Sequence, residues 1–172
     1  MIELNIHSVL YSLLTRHRII LLKELQGERF LPIWIGIAES DAIATRLQGT
    51  LIPRPLTHDL LLNVIQELQG TVHYIVVNDL ADDTFYARIA IEHNSEIDLI
   101  DARPSDAIAL AVRASVPIYA EESVLDRAGI LKSHDIRGET PTDSSIEDAL
   151  DVFRDFVDTL DLDKLEDDEH VG

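Results

Sequence analysis

The chain has 172 residues, 46% of them hydrophobic, which suits one domain with a sizeable core plus an appendage. It has no cysteine, which excludes disulfides, thiolate metal sites and cysteine nucleophiles. Its formal charge is −18, of which Glu139–Gly172 holds a net −11 and the preceding body −7.

Residues 2–11 and 18–26 are rich in Ile, Leu and Val and read as strands, with Thr15–Arg16–His17 in the connection. Glu3 stands early and no basic segment precedes an apolar one, so no signal peptide is expected. No apolar run reaches the roughly 18 residues of a membrane span, and a cytoplasmic location is the expectation. Gln26–Gly27–Glu28 turns into a third strand, Arg29–Gly36, which Pro32 marks as an edge or an irregular strand. Glu39–Ser40–Asp41 opens a helix that Gly49 closes.

Pro53 and Pro55 stiffen a crossing segment, Leu51–Leu56. Thr57 is the expected N-cap of a helix through Leu60, Leu61, Val64, Ile65 and Leu68, ended by Gly70. Residues 71–78, 84–92 and 96–101 follow as strands joined by Asp79–Asp83 and His93–Ser95, an antiparallel meander. Next comes Ile100–Arg113, a strand end and then a helix with Pro104 at its first position and Ser105 and Asp106 at its free amides. Only small and aliphatic residues follow up to Arg113, so that helix should be buried. A strand at 116–120 and a short helix from Ser123 to Gly129 complete a domain of residues 1–132. A linker is expected at 133–144. An acidic amphipathic helix with a disordered tail is expected at 145–172, where Ile146, Ala149, Leu150, Phe153, Phe156, Val157 and Leu160 keep helical spacing.

The pentapeptide Ser40–Asp41–Ala42–Ile43–Ala44 recurs as Ser105–Asp106–Ala107–Ile108–Ala109, each copy after a strand and at a helix start. The echo suggests a duplicated strand–helix unit, though Ala and Ile are common in buried helices. The expected fold is α+β, a mixed, largely antiparallel sheet with helices packed on it.

Three blocks carry a family resemblance: Leu31–Gly36 with Glu39, Arg54–Leu60, and Asp101–Ala111. In this order and separation they resemble the bifunctional nuclease domain family over residues 1–132. The resemblance implies a compact mixed α+β domain, dimeric or larger, and a nuclease acting on DNA and RNA. It does not say which residues act, and these are argued from chemistry.

Phosphodiester hydrolysis needs an activated water, charge stabilisation at the phosphoryl oxygens and help for the leaving group. The acidic body lacks the basic stripe of a sequence-independent phosphate grip, so an arginine cluster or a divalent cation, Mg²⁺ or Mn²⁺, must supply it. His58 and Asp59 behind Arg54 are the first candidates, because imidazole ordinarily titrates near neutrality. The alternative is that they decorate a helix start. Asp106 as a catalytic carboxylate, with Arg103 and Ser105 binding substrate, forms the second group, since arginine beside helix amides suits phosphate. Its alternative is an internal Arg103–Asp pair. Glu39, Asp41 and Asp101 are the candidate metal carboxylates, against simple first-turn capping. His7, His17, His73, His93, His134 and His170 show no metal-ligand spacing, and there is no glycine-rich phosphate loop or Gly-x-Ser-x-Gly elbow.

The leading functional expectation is a divalent-metal-assisted nuclease, with Arg54, His58, Asp59, Arg103 and Asp106 converging from two helix starts. The rival is a non-catalytic oligomeric module binding an anionic ligand or a protein partner. A third reading gives the acidic C-terminal helix a docking or autoinhibitory role.

Overall fold

The computed structural model describes residues 1–11 and 18–131. Thr15–His17, the linker and the acidic helix lie outside the described residues, as does the role proposed for that helix. The elements run β1 (Ile2–Tyr11), β2 (Arg18–Glu24), β3 (Arg29–Ile35), α1 (Ile37–Leu47), α2 (Thr57–Glu67) and β4 (Thr71–Ala81). Then come β5 (Thr84–His93), β6 (Glu96–Ala102), α3 (Pro104–Ala114), β7 (Ile118–Ala120), α4 (Glu122–Ala128) and β8 (Ile130–Leu131).

The strands form one eight-stranded sheet in the order β6-β5-β4-β7-β1-β2-β3-β8. Every pairing is antiparallel except β4 with β7, so the α+β fold with a mixed, largely antiparallel sheet is what the chain adopts. That parallel pair joins the β4–β5–β6 meander to the β7–β1–β2–β3–β8 half. A parallel pair needs a long crossover, and α3 lies within it. The meander closes with two-residue turns whose φ angles are positive: Asp82 and Asp83 (48° and 56°), then Asn94 and Ser95 (52° and 65°). Such pairs match the twist of the flanking strands, and Asp and Asn tolerate the left-handed region. Hence β4 runs on to Ala81, three residues past the expected end.

The helix starts differ from the sequence reading by one to two residues. Gly36 caps α1, so Glu39 is its third residue rather than its first. Leu56, not Thr57, is the cap residue of α2, and the Asp59 carboxylate accepts the Leu56 N–H at 2.8 Å. Gln69, at φ 62°, takes the left-handed turn assigned to Gly70. Ser40 stands fourth in α1 and Ser105 second in α3, so the repeated pentapeptide occupies different helical positions. Ile130–Leu131 adds a short strand on β3 that the sequence did not signal. Among the described residues it covers only Arg29 and Phe30 and leaves the outer edge of β3 without a paired strand at Pro32, where the ring has no N–H to offer.

The core is centred on α3. Pro104, Ser105, Ala107 to Ala111 and Arg113 are buried, as the apolar run implied, and α3 packs against α1, α2, β4 and β5. No described helix is long and apolar enough to cross a membrane.

Arg29 ties the far end of the sheet to α4. Its guanidinium donates to Glu24 (2.6 and 3.0 Å), Glu122 (2.7 Å) and Asp126 (3.0 Å). The hydrogen bond from Arg29 holds the Glu24 carboxyl below its ordinary 4.5 against the opposing effect of burial, and the two glutamates raise the arginine in turn. Glu24 is only 8% exposed, so Arg29→Ala should cost about 2 kcal/mol at pH 7 by leaving a buried carboxylate unpaired. A depressed carboxyl stabilises above its unfolded pKa and loses that contribution as pH falls through the folded value. The gap between wild type and variant in urea unfolding should therefore be full at pH 7 and close towards pH 3.

Candidate functional site

The first turns of α1, α2 and the cap of α3 place four polar side chains together. The third residues of α1, α2 and α3 are Glu39, Asp59 and Asp106, all carboxylates, which complement the free amides there. Only Asp59 uses its oxygen as a cap. Glu39 and Asp106 turn instead to Arg103, the N-cap residue of α3.

Arg103 grips Asp106 as a fork, Nε to Oδ2 at 2.6 Å and an amino group to Oδ1 at 3.1 Å, and reaches Glu39 Oε1 at 2.8 Å. His58 Nε2 lies 3.0 Å from Asp106 Oδ1. Burial acts to raise the Asp106 carboxyl, but the hydrogen bonds from Arg103 and His58 outweigh it and hold it below the ordinary range. The bonds that Arg103 donates, to Asp106 first and to Glu39 second, raise the arginine. Since Asp106 is then an acceptor only, a neutral His58 must carry its proton on Nε2, which leaves Nδ1 as the basic nitrogen. His58 is buried while the Arg103 side chain is 67% exposed, so the network has an anchored imidazole and a cation open to solvent. Gly36 belongs to the same arrangement: a Cβ on it would stand 2.1 Å from Glu39 Oε2, so the bare backbone lets that carboxylate fold over the helix cap.

His58, Arg103 and Asp106 are thus brought together, with Glu39 joining them as a partner of Arg103. The internal Arg103–Asp106 pair weighed from sequence is present too, as part of the cluster. The other candidates are elsewhere. Asp59 is held by Arg113, whose Nε donates to Oδ1 at 2.6 Å. Burial pushes the Asp59 carboxyl up, and the Leu56 amide and Arg113 more than offset it, so the net displacement is downwards. Ser105, read from sequence as a substrate-binding side chain, is buried at 7% exposure in the first turn of α3. The metal trio of Glu39, Asp41 and Asp101 does not converge. Glu39 is on Arg103, Asp41 pairs with Arg18 at 3.2 Å, and Asp101 lies on edge strand β6 opposite Arg88. Residues two apart on a helix point about 200° from one another, which separates Glu39 from Asp41. Among the described residues no group of three or more His, Asp or Glu side chains is placed to hold a metal ion.

Arg54 also leaves the His58 cluster. It lines a neighbouring cleft of about 310 Å³ with Thr45, Arg46, Thr50, Asp59, Asn63 and Arg113. Arg46, Asn63 and Arg113 were not signalled as site residues. The clue available for Arg113 was its place seven residues after Asp106, two helical turns on the same face, at the end of an otherwise apolar run.

A sequence model of the bifunctional nuclease domain matches residues 20–133, a span that contains all four residues of the Arg103 cluster. The chain belongs to the bifunctional nuclease domain family. It is 43% identical over 142 residues to an uncharacterized protein of Mycobacterium tuberculosis, covering 83% of this chain and 84% of that one. It is 26% identical over 117 residues to bifunctional nuclease 1 of Oryza sativa subsp. indica, and 28% over 108 residues to bifunctional nuclease 2 of subsp. japonica. These matches cover 66% and 60% of this chain and 35% and 33% of the rice proteins, so the chain spans about a third of their length.

The two clusters should separate in stability. Asp59→Asn leaves the buried Arg113 guanidinium without its counter-charge and should cost about 3 kcal/mol. His58→Ala leaves Asp106 its two bonds to Arg103 and should cost about 1 kcal/mol. Urea unfolding at pH 7 measures both, and equal losses would contradict the assignment of Asp59 to the structural pair.

Proposed function

We propose that the domain is a nuclease that hydrolyses phosphodiester bonds of DNA and RNA at the Glu39–Arg103–Asp106–His58 cluster. The observation that carries this reading is a buried imidazole oriented by an ionised carboxylate beside an exposed arginine. It has the components of general-base hydrolysis with charge stabilisation. Family membership and the rice bifunctional nucleases support it.

In this reading Nδ1 of His58 accepts a proton from water as the water oxygen attacks phosphorus. The bond from phosphorus to the leaving oxygen breaks, that oxygen keeps the electron pair, and a proton from the imidazolium or from solvent neutralises it. Asp106 stabilises the imidazolium and holds the ring in the required tautomer, the role of the carboxylate in Asp–His pairs generally. Arg103, extended into solvent, pairs with the non-bridging oxygens. With His58 neutral the four groups sum to −1, so the phosphate must take Arg103 over from Glu39.

The donor set fits Mg²⁺ or Mn²⁺ poorly, because Arg103 already bridges the two carboxylates. Cleavage that survives EDTA would agree with this geometry. Cleavage lost in EDTA would require the cation to arrive with the substrate.

Self-association, the other implication of the resemblance, has a surface to serve it. Leu60, Val64 and Leu68 form an exposed apolar stripe along one face of α2 and past its end, beside exposed Leu61, which suits contact with a second copy of the chain. Val64→Glu should shift the sedimenting species towards monomer, and an unchanged distribution would dismiss that face.

The activity test uses single-stranded DNA and RNA at low and high salt, in Mg²⁺, in Mn²⁺ and in EDTA. Both substrates should be cleaved, and His58→Ala and Arg103→Ala should each reduce the rate about 100-fold with the fold intact. Absence of cleavage under every condition would overturn the nuclease reading in favour of a non-catalytic anion-binding module.

A further inference from the structure

We propose that the cleft lined by Arg46, Arg54 and Asn63 is a second site, which binds a phosphate group apart from the His58–Asp106 cluster. Charge is the first argument. Three arginines and one aspartate line the cleft, a local +2 on a chain of net −18. The His58 cluster, by contrast, sums to −1 with its histidine neutral. An anion near this face is therefore held better in the cleft than on Arg103.

The second argument is which charges are free. Arg113 is committed, to Asp59 and to the carbonyls of Ala109 and Ala42, so it contributes structure rather than donors. Arg54 is exposed and has no hydrogen bond or ion pair among the described residues. Arg46 has one long bond, from Nε to the Val112 carbonyl at 3.4 Å, and its charge also acts on the Asp59 carboxylate. The C-terminal end of α1 repels an anion weakly, and the net +2 of the cleft exceeds that. Thr45, Thr50 and Asn63 add neutral donors, and the volume sits at the small end of the range for ligand sites.

The third argument is stiffness. Gly49, at φ 65°, turns the chain out of α1, and Pro53 and Pro55 fix the backbone on either side of Arg54. The guanidinium is thus presented from a segment that loses little freedom on binding.

The cleft also stands in a defined relation to the reaction proposed above, and its assignment to a strand rests on that proposal. Asp106 and Arg113 are two turns apart on one face of α3, about 10 Å along the axis. That is about three steps of a stacked strand at 3.4 Å each. A phosphate in the cleft would hold a strand a few nucleotides from the bond facing His58. The same chemistry fits the phosphate of a free nucleotide.

Isothermal titration calorimetry at low salt with inorganic phosphate, a nucleoside 5′-monophosphate and an eight-nucleotide DNA strand tests the site. Wild type and His58→Ala should bind phosphate alike. Arg54→Gln and Arg46→Gln, both outside the core, should each weaken binding about tenfold with unchanged thermal unfolding. Tighter binding of the strand than of the monophosphate assigns the cleft to a nucleic-acid backbone, and the reverse order assigns it to a free nucleotide. No binding by wild type, or equal binding by Arg54→Gln, overturns the proposal. Arg54-dependent phosphate binding by a protein that cleaves nothing leaves this site standing and removes the nuclease reading alone.

Discussion

The position of every group in the candidate site depends on one buried cation. Arg113 has a side chain 3% exposed near the end of α3, and its guanidinium has partners on all three central helices. Asp59 supplies the counter-charge from α2, Ala42 a carbonyl from α1, and Ala109 a carbonyl from α3 itself. A buried charge tolerates no loss of partners, so the helices are held where those partners are met. Asp59 is in turn fixed to its own helix cap through Leu56, which pins the start of α2 against α3. His58 is the residue before Asp59, and its meeting with Asp106 follows from that pin.

A single structural habit, an acidic third residue in each of three helices, has been put to two uses. In α2 the carboxylate caps the helix and neutralises Arg113. In α1 and α3 the equivalent carboxylates leave their amides and converge on Arg103, which a capping residue without charge would not attract. The site therefore needs no special backbone. It needs Gly36 bare so that Glu39 can fold back, and an arginine at the N-cap position of α3 to draw the carboxylates together.

What could be read from the sequence follows the range of the interactions. The buried α3, its Pro104 start and the β4–β5–β6 meander depend on neighbours a few residues away, and the residue pattern showed them. The grouping of His58, Arg103 and Asp106 was partly legible because all three sit in helix starts with strong local signals. The separation of Arg54 and Asp59 from them was not. It depends on the Asp59–Arg113 pair, which spans 54 positions, and on the Arg113–Ala42 bond, which spans 71. Likewise Glu39 and Asp41 looked like one acidic group in the sequence, yet helical geometry sends them to Arg103 and to Arg18. The strand Ile130–Leu131 was missed because two residues show no periodicity.

The charge distribution answers the difficulty that the composition posed for a nucleic-acid ligand. A body of net −7 should repel a polyanion at long range, and no basic stripe compensates. The fold compensates locally instead. It spends Asp59 on Arg113, turns Glu39 and Asp106 onto Arg103, and brings Arg46 from the end of α1 and Arg54 from the stiff segment after it to the cleft beside Arg113. Attraction is then short-ranged, confined to about one cleft, whose single carboxylate, Asp59, is already held by Arg113. A ligand gripped there and reaching towards Arg103 meets a cluster that sums to −1 with His58 neutral. In the proposed reading, binding and reaction fall to separate arginines, and α3 sets the distance between them.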